Sequence, residues 1–227
     1  MKERLSLIEL GFRGRENEIV AMNAAAITDG ERLSASLRVP GDPVEGARKR
    51  RETRTAVFRA NVDELNARFR QAGYPLNYHN GFIQISTDDL AQKEIGTPFW
   101  QLVSDPLWAN VDVDMKEALD LRDSDGRDPA FYAARALESS IKIISDQKGW
   151  THGGEKGAHN YIDNLASKKN ALITSWESAS LKEFFTHVRN PFGHGAGSSQ
   201  MPSLTRSQTE WAIEFSMSWI KNLIRRL

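Results

Sequence analysis

A chain of 227 residues can form one large domain or two small ones, and 40% hydrophobic residues suffice for a buried core. Lysine plus arginine and aspartate plus glutamate each number 30, so any attraction to nucleic acid must come from a local patch. The absence of cysteine excludes disulfides, thiolate zinc sites and cysteine nucleophiles. There is no signal-peptide pattern and no apolar stretch near the roughly 18 residues of a membrane span, so we expect a cytoplasmic protein without a membrane partner.

The first part of the chain, residues 1–110, is predicted to be a smaller helical region of unknown role. Glycines and prolines between Thr28 and Ala47 predict a loop. After it, four apolar residues spaced by four, three and four positions indicate one face of an amphipathic helix, which Gly73 ends. These residues are Phe58, Val62, Leu65 and Phe69.

One β-hairpin is predicted near residues 74–86. Asn80-Gly81 separates two short apolar runs, and both residue types tolerate the positive φ angles of a two-residue hairpin turn. We assign no other segment as β-structure.

The second part, residues 111–227, is predicted to be a bundle of four or five helices. Asp128 and Pro129 indicate an N-cap followed by proline in the first turn of a helix that ends near Gly149. Further helices are expected around residues 160–169 and 175–188. The last one begins at Thr205, which forms a capping-box pattern with Gln208. It then carries four apolar residues at steps of four that we expect in the core: Trp211, Phe215, Trp219 and Leu223.

The candidate chemistry lies between the last two helices, where Arg189 and Asn190 precede His194 in the pattern R-x(4)-H. Histidine can take or give a proton near neutral pH, and the guanidinium fork of arginine matches the oxygens of a phosphate. Residues five apart lie about 140° from each other on a straight α-helix. Pro191 also disfavours an α conformation at Asn190. We therefore expect Arg189 to end one helix and His194 to lie in the glycine-rich turn after it.

This motif, in a helical bundle, resembles the R-x(4-6)-H signature of the HEPN superfamily. The Asp128-Pro129 helix with its Ala136 to Glu138 segment, the Arg-Asn pair and the His-Gly pair are similar to the abortive-infection C-terminal family of bacterial defence proteins. The resemblance covers about residues 112–227. The hairpin segment also looks like what precedes this domain in such proteins.

The resemblance implies a metal-independent endoribonuclease without a cofactor, acting in phage defence or as a toxin. The RNA 2′-hydroxyl would be the nucleophile, and the product would be a 2′,3′-cyclic phosphate. Arg189 and His194 would be the catalytic pair, with Asn190 beside them. The resemblance further implies a homodimer through the C-terminal bundle, in which two Arg-His sets line one cleft. The sequence leaves open whether an antitoxin or a regulatory partner exists.

Two further groups of residues are candidates for the same activity. HEPN domains often bring a polar residue of the first long helix toward the Arg-His site, which makes Glu138 an accessory candidate; a surface salt bridge with Lys142 is the alternative. The basic run Arg48, Lys49, Arg50 and Arg51 could contact RNA phosphates, or it could be only a solvated start of a helix.

Other interpretations of the motif remain open. Arg189 and Asn190 could cap the C-terminus of the preceding helix, and His194 could be a turn histidine that bonds a carbonyl. The superfamily also contains inactive members, so the alternative function is a HEPN module that binds a nucleotide or a protein partner.

Two histidines in the Gly-rich loop, His152 and His159, lack the spacing and the third ligand of a metal site.

Overall fold

A computed structural model describes residues 2–36, 43–86, 88–193 and 202–227 of the chain. It confirms a mainly α fold with one antiparallel β-hairpin. Contacts divide the chain into two compact units, residues 1–87 and residues 88–227. The change of sequence character near residue 110 therefore lies inside the second unit. His194 and the glycine-rich turn around it lie outside the described residues.

The first unit consists of two long helices and the hairpin: α1 (Lys2–Ser36), α2 (Pro43–Gln71), β1 (Leu76–His79) and β2 (Phe82–Ile85). The loop predicted between Thr28 and Ala47 is wrong over most of its described length, because α1 continues to Ser36 and α2 already begins at Pro43. Proline lacks only an N–H that has no intrahelical partner in a first turn, so Pro43 starts a helix instead of breaking one. The amphipathic helix and its end at Gly73, which has φ of 71°, are confirmed.

The predicted hairpin is confirmed, with Tyr78 opposite Ile83 and His79 opposite Phe82. Asn80 and Gly81 both have positive φ, as the two-residue turn requires. Tyr78 lies in a small core with Ile19 and Phe58. Its hydroxyl donates to Glu16 over 3.1 Å, and both burial and that carboxylate raise the pKa of the phenol.

The second unit is helical among its described residues. Its α-helices are α3 (Asp89–Ala91), α4 (Thr97–Val103), α5 (Ala109–Asp123), α6 (Pro129–Gln147), α7 (Ala158–Ala166), α8 (Ser175–Phe184) and α9 (Arg206–Arg225). Two π-helical turns (Gln92–Gly96 and Phe185–Arg189) and two 3₁₀ turns (Pro106–Trp108 and Asn190–Phe192) join them. Helix α6 packs against α5, α7 and α9, so it lies at the centre of the unit. Its buried face includes Ala134, Leu137, Ile141 and Ile144.

The predicted helix starts are confirmed in position, with one difference in chemistry. Thr205 and Gln208 form the complete capping box at the start of α9. Pro129 does begin α6, but Asp128 has φ of 58° and makes no side-chain capping bond. Its carboxylate instead lies 3.2 Å from the guanidinium of Arg127. The left-handed backbone turns this carboxylate away from the free N–H groups of the helix.

The aromatic series on α9 is only partly in the core. Leu223 is fully buried, whereas Phe215 and Trp219 are half-buried and Trp211 is 52% exposed. Steps of four residues drift by about 40° around a helix of 3.6 residues per turn, so a long series leaves the buried face. Ile213, Met217 and Ile220 occupy the core instead.

None of the described helices combines the length and the hydropathy that a membrane span requires.

Candidate functional site

Arg189 is the last residue of the π-helical turn (Phe185–Arg189) that follows α8, and in this turn the N–H of Asn190 bonds the carbonyl of Phe185. The 3₁₀ turn of Asn190–Phe192 follows without a break, so the predicted helix end at Arg189 is only partly confirmed. Asn190 itself has α-helical angles, φ −66° and ψ −40°, so the expected departure at this residue is wrong. A π-turn is wider than an α-turn, and we attribute the tolerance of Pro191 directly after it to that width. Single π-turns occur frequently at functional sites.

The guanidinium of Arg189 is held from three sides. Its Nη2 lies 3.3 Å from Oε2 of Glu138, and its carbon lies 5.8 Å from the ring centre of Phe131. A Cβ at Gly193 would lie 3.2 Å from Nη1, so this glycine packs closely against the guanidinium. Nε is buried and has no hydrogen-bond partner among the described residues. Arg189 is therefore fixed in place but keeps unused donor capacity.

Glu138 connects Arg189 to a second cation. Its Oε1 accepts from Nζ of Lys142 over 2.7 Å, which confirms the predicted pair one turn apart. The Glu138 side chain is only 8% exposed, whereas that of Lys142 is 43% exposed. A buried carboxylate with two cationic partners is not a surface pair. One negative charge between two positive charges leaves the group of three with a net positive charge.

The group formed by Arg189, Glu138 and Lys142, which we call the Arg-Glu-Lys cluster, lies between two open clefts of the second unit. The cleft between α5 and α6 holds about 360 Å³ and also contains Asp114 and Arg135. These two residues form a 2.6 Å ion pair with each other. The second cleft, which we call the α6–α7 cleft, holds about 600 Å³ and is also lined by Lys156, His159, Tyr161 and Asn190.

Asn190 lines the α6–α7 cleft and is half-buried, so the structure brings Arg189, Asn190 and Glu138 together. His194 lies outside the described residues, although Gly193, which directly precedes it in the sequence, contacts Arg189 as described above. The basic run from Arg48 to Arg51 is exposed on α2 of the first unit, where Nε of Arg48 lies 3.6 Å from Glu52. His187 is exposed on the helix surface and pairs with Glu183.

Sequence reasoning missed two residues of the α6–α7 cleft. Tyr161 lies under Lys142, whose Nζ is 5.7 Å from the ring centre. Nε2 of His159 lies 3.2 Å from the carbonyl oxygen of Lys182 and 3.4 Å from Oγ1 of Thr186. The sequence predicts His159 in a glycine-rich loop and Tyr161 in the helix after it, whereas α7 already begins at Ala158 and includes both. No local pattern indicates that α7 packs beside the turn that carries Arg189.

The arrangement suits binding of a phosphate group more than binding of a metal ion. Arg189, Lys142 and Lys156 supply guanidinium and ammonium donors on the same cleft. Cationic donors of this kind make charge-assisted hydrogen bonds to phosphate oxygens. Within residues 2–36, 43–86, 88–193 and 202–227, no three His, Asp or Glu side chains are grouped as metal ligands.

Residues 1–101 match the family model of AbiJ N-terminal domain 4. This match shows that residues 1–101, less than half of the chain, are similar to an AbiJ N-terminal domain. The AbiJ-type region covers the whole first unit and continues into α4 of the second. It does not include the Arg-Glu-Lys cluster. No curated protein and no solved structure matches the chain.

Proposed function

We propose that this protein is a metal-independent endoribonuclease of HEPN type that acts in bacterial abortive infection or as a toxin. The observation that carries the proposal is the ion pair between Arg189 and the buried Glu138, which fixes the guanidinium at the α6–α7 cleft. The AbiJ-type match of the N-terminal region supports the biological setting. The R-x(4)-H sequence supports the chemistry, because it adds a histidine to that arginine.

The proposed reaction uses a nucleophile that RNA already contains. His194 takes the proton of the 2′-hydroxyl, and the 2′-oxygen attacks the adjacent phosphorus. Negative charge then increases on the two non-bridging oxygens. Arg189 stabilises this charge through a planar pair of donors, which a lysine could not present. The P–O5′ bond breaks, and a 2′,3′-cyclic phosphate remains.

We propose that Glu138 positions Arg189 and that Lys142 keeps the net charge of the Arg-Glu-Lys cluster positive. A guanidinium on a flexible side chain loses conformational entropy whenever it is held in a single position. The contact with Glu138 already holds it, so less of this cost falls on substrate binding. Lys142 keeps the cluster positive despite the carboxylate. Asn190, on the same cleft, is proposed to contact substrate next to Arg189.

The working unit is proposed to be a homodimer that pairs through the second unit, with RNA as substrate. Two-fold dimers are the commonest oligomers, and pairing would place two Arg-His sets along one cleft. The basic run from Arg48 to Arg51 is proposed as an additional RNA contact, because it is exposed on α2. An antitoxin or regulatory partner would restrain the activity in the cell.

The test is RNA cleavage by the purified full-length chain and by two variants, Arg189→Ala and His194→Ala. We expect both variants to lose activity by at least roughly 100-fold, the lower end of a positioned acid-base contribution. His187→Ala is the matched control, because this exposed histidine lies two residues before Arg189 and pairs with Glu183. A wild-type protein that binds RNA but never cuts it would favour an inactive binding module instead.

A further inference from the structure

The proposed reaction needs a second proton transfer that Arg189 and His194 do not supply. When the P–O5′ bond breaks, the leaving 5′-oxygen carries negative charge unless an acid protonates it. Positioned proton transfer of this kind typically contributes about 10²–10⁴ to the rate. A second protomer could provide the acid, but the α6–α7 cleft already contains a histidine of the same chain.

His159 is held by neighbouring backbone in one orientation. Its Nε2 lies 3.2 Å from the main-chain carbonyl oxygen of Lys182, and a carbonyl can only accept a hydrogen bond. The hydroxyl of Thr186 donates to that same carbonyl over 2.9 Å, so Nε2 of His159 is the donor toward both oxygens. The proton of the neutral ring is therefore on Nε2. Nδ1 is left to gain and lose the second proton.

The ring is close to the turn that carries Arg189. Thr186, which lies 3.4 Å from His159, precedes Arg189 by three residues within the π-helical turn. His159 and Arg189 also line the same cleft, together with Lys142 and Tyr161. A substrate phosphate bound by Arg189 would thus lie on the same side of the second unit as the imidazole.

The cleft also offers contacts for neighbouring phosphates. Lys142 and Lys156 line it and carry ammonium groups that can bind them. The ring of Tyr161 is half-buried, and Lys142 already lies over it. Lys142 of α6, Lys156 of the loop before α7 and Tyr161 of α7 line the same cleft as His159, so a bound strand of RNA would lie in the cleft that contains the imidazole.

We propose that His159 is the general acid of this cleft and protonates the leaving 5′-oxygen of RNA. The inference rests on the proposed function. The 2′-oxygen forms its bond to phosphorus and gives its proton to His194. The P–O5′ bond breaks, and O5′ takes the Nδ1 proton of the His159 imidazolium. One histidine ends protonated and the other neutral, and exchange with water restores both.

The experiment compares two RNA oligonucleotides that differ only at the mapped cut site. One has the natural 5′-oxygen, and the other has sulfur in its place. A thiolate leaves without protonation, so the sulfur substrate does not need a general acid. We expect His159→Gln to lower cleavage of the oxygen substrate by roughly 100-fold or more and cleavage of the sulfur substrate by less than about fivefold. Arg189→Ala should be slow on both substrates.

Controls separate this role from a structural one. Glutamine at residue 159 keeps an N–H donor for the Lys182 carbonyl, and thermal melting shows whether the fold is retained. His159→Asn is the second variant if the first does not fold. His187→Gln makes the same replacement at an exposed histidine and should match the wild type.

Each outcome decides the inference. Normal activity of His159→Gln, or an equal loss on both substrates, overturns the role of His159 while the proposed function stands. A wild-type protein that cuts neither substrate overturns the proposed function, and the role of His159 with it.

Discussion

Arg189 and Glu138 form an ion pair of 3.3 Å between the turn that follows α8 and the centre of α6. Glu138 is buried and also bonds Lys142, so one carboxylate sets the positions of two cations. This relationship joins the sequence motif to the helical core of the second unit.

Removal of the Glu138 carboxylate should therefore affect activity and stability together. We expect Glu138→Ala to lower RNA cleavage about tenfold or more, because about 1.4 kcal/mol of lost positioning corresponds to a factor of ten. Unfolding free energy should fall by about 1–3 kcal/mol. This is less than for a fully buried pair, because both cations are partly exposed. Cleavage kinetics and denaturant titration measure the two effects.

Glu183→Ala is the control for Glu138→Ala, since Glu183 pairs with a histidine on the exposed surface. It should change neither quantity appreciably. Unaltered cleavage by Glu138→Ala would exclude a positioning role for Glu138.

A second buried carboxylate, that of Glu177, should make the stability of the fold depend on pH. Arg226 lies 2.6 Å from Glu177, and this contact is the main reason that the pKa of Glu177 falls to about 2 from 4.5. A lowered pKa means that the ion pair stabilises the fold above about pH 4.5. That contribution is lost as the pH falls toward 2.

Glu177→Gln should thus lower the unfolding free energy at pH 7 by about 1–3 kcal/mol. It should also flatten the decline of stability between pH 4.5 and 2. Glutamine can preserve the capping box with Thr174 through its amide oxygen, so the change removes the charge and the hydrogen bond from Arg226. Urea titrations at several pH values measure this, and a variant with the same acid profile as the wild type would contradict the pairing.

The basic run of α2 can be tested through salt dependence. If Arg48, Lys49, Arg50 and Arg51 contact phosphates, replacement of all four by glutamine should weaken RNA binding and flatten its dependence on salt. The expected change in slope is about 0.7 for each lost contact with single-stranded RNA. Arg68→Gln with Arg70→Gln, two exposed positions at the other end of the same helix, serves as the control. Equal salt-dependence slopes for the two sets of substitutions would mean that the basic run does not contact RNA.

Mixed dimers can show whether the site belongs to one chain. Arg189 and His159 line a single cleft of one protomer. We therefore expect no recovery of activity when Arg189→Ala protomers are mixed with His159→Ala protomers. Light scattering checks that the protein is a dimer, and a tag on one of the two variants shows whether the subunits exchange. Recovery in the mixed sample would instead mean that the two side chains act from different protomers.

The sequence correctly predicts the elements whose neighbouring residues favour a single local conformation. Asn80-Gly81 permits one kind of turn, and Thr205 with Gln208 forms a capping box, so both appear where expected. The predicted loop extends too far beyond Pro43, because proline can start a helix as readily as it ends one.

The candidate site was predictable only in part. The pair of Glu138 and Lys142 follows from the helical repeat, but the contact of Glu138 with Arg189 depends on how α6 packs against the turn after α8. His159 could not be found from the sequence, because its partners belong to α8 and to the turn after it, 23 and 27 residues away. Packing between distant segments leaves no local pattern.

The most direct test of the proposed activity is cleavage of an RNA oligonucleotide in EDTA, beside a copy with a single 2′-O-methyl group at the cut site. We predict that wild-type protein cuts the first and leaves a 2′,3′-cyclic phosphate, resolved by mass spectrometry. The methylated copy should stay intact at that position, because its 2′-oxygen has no proton to give. Cleavage of the methylated position, or loss of all activity in EDTA, would contradict a reaction in which the 2′-hydroxyl is the nucleophile and Arg189 and His194 are the catalysts.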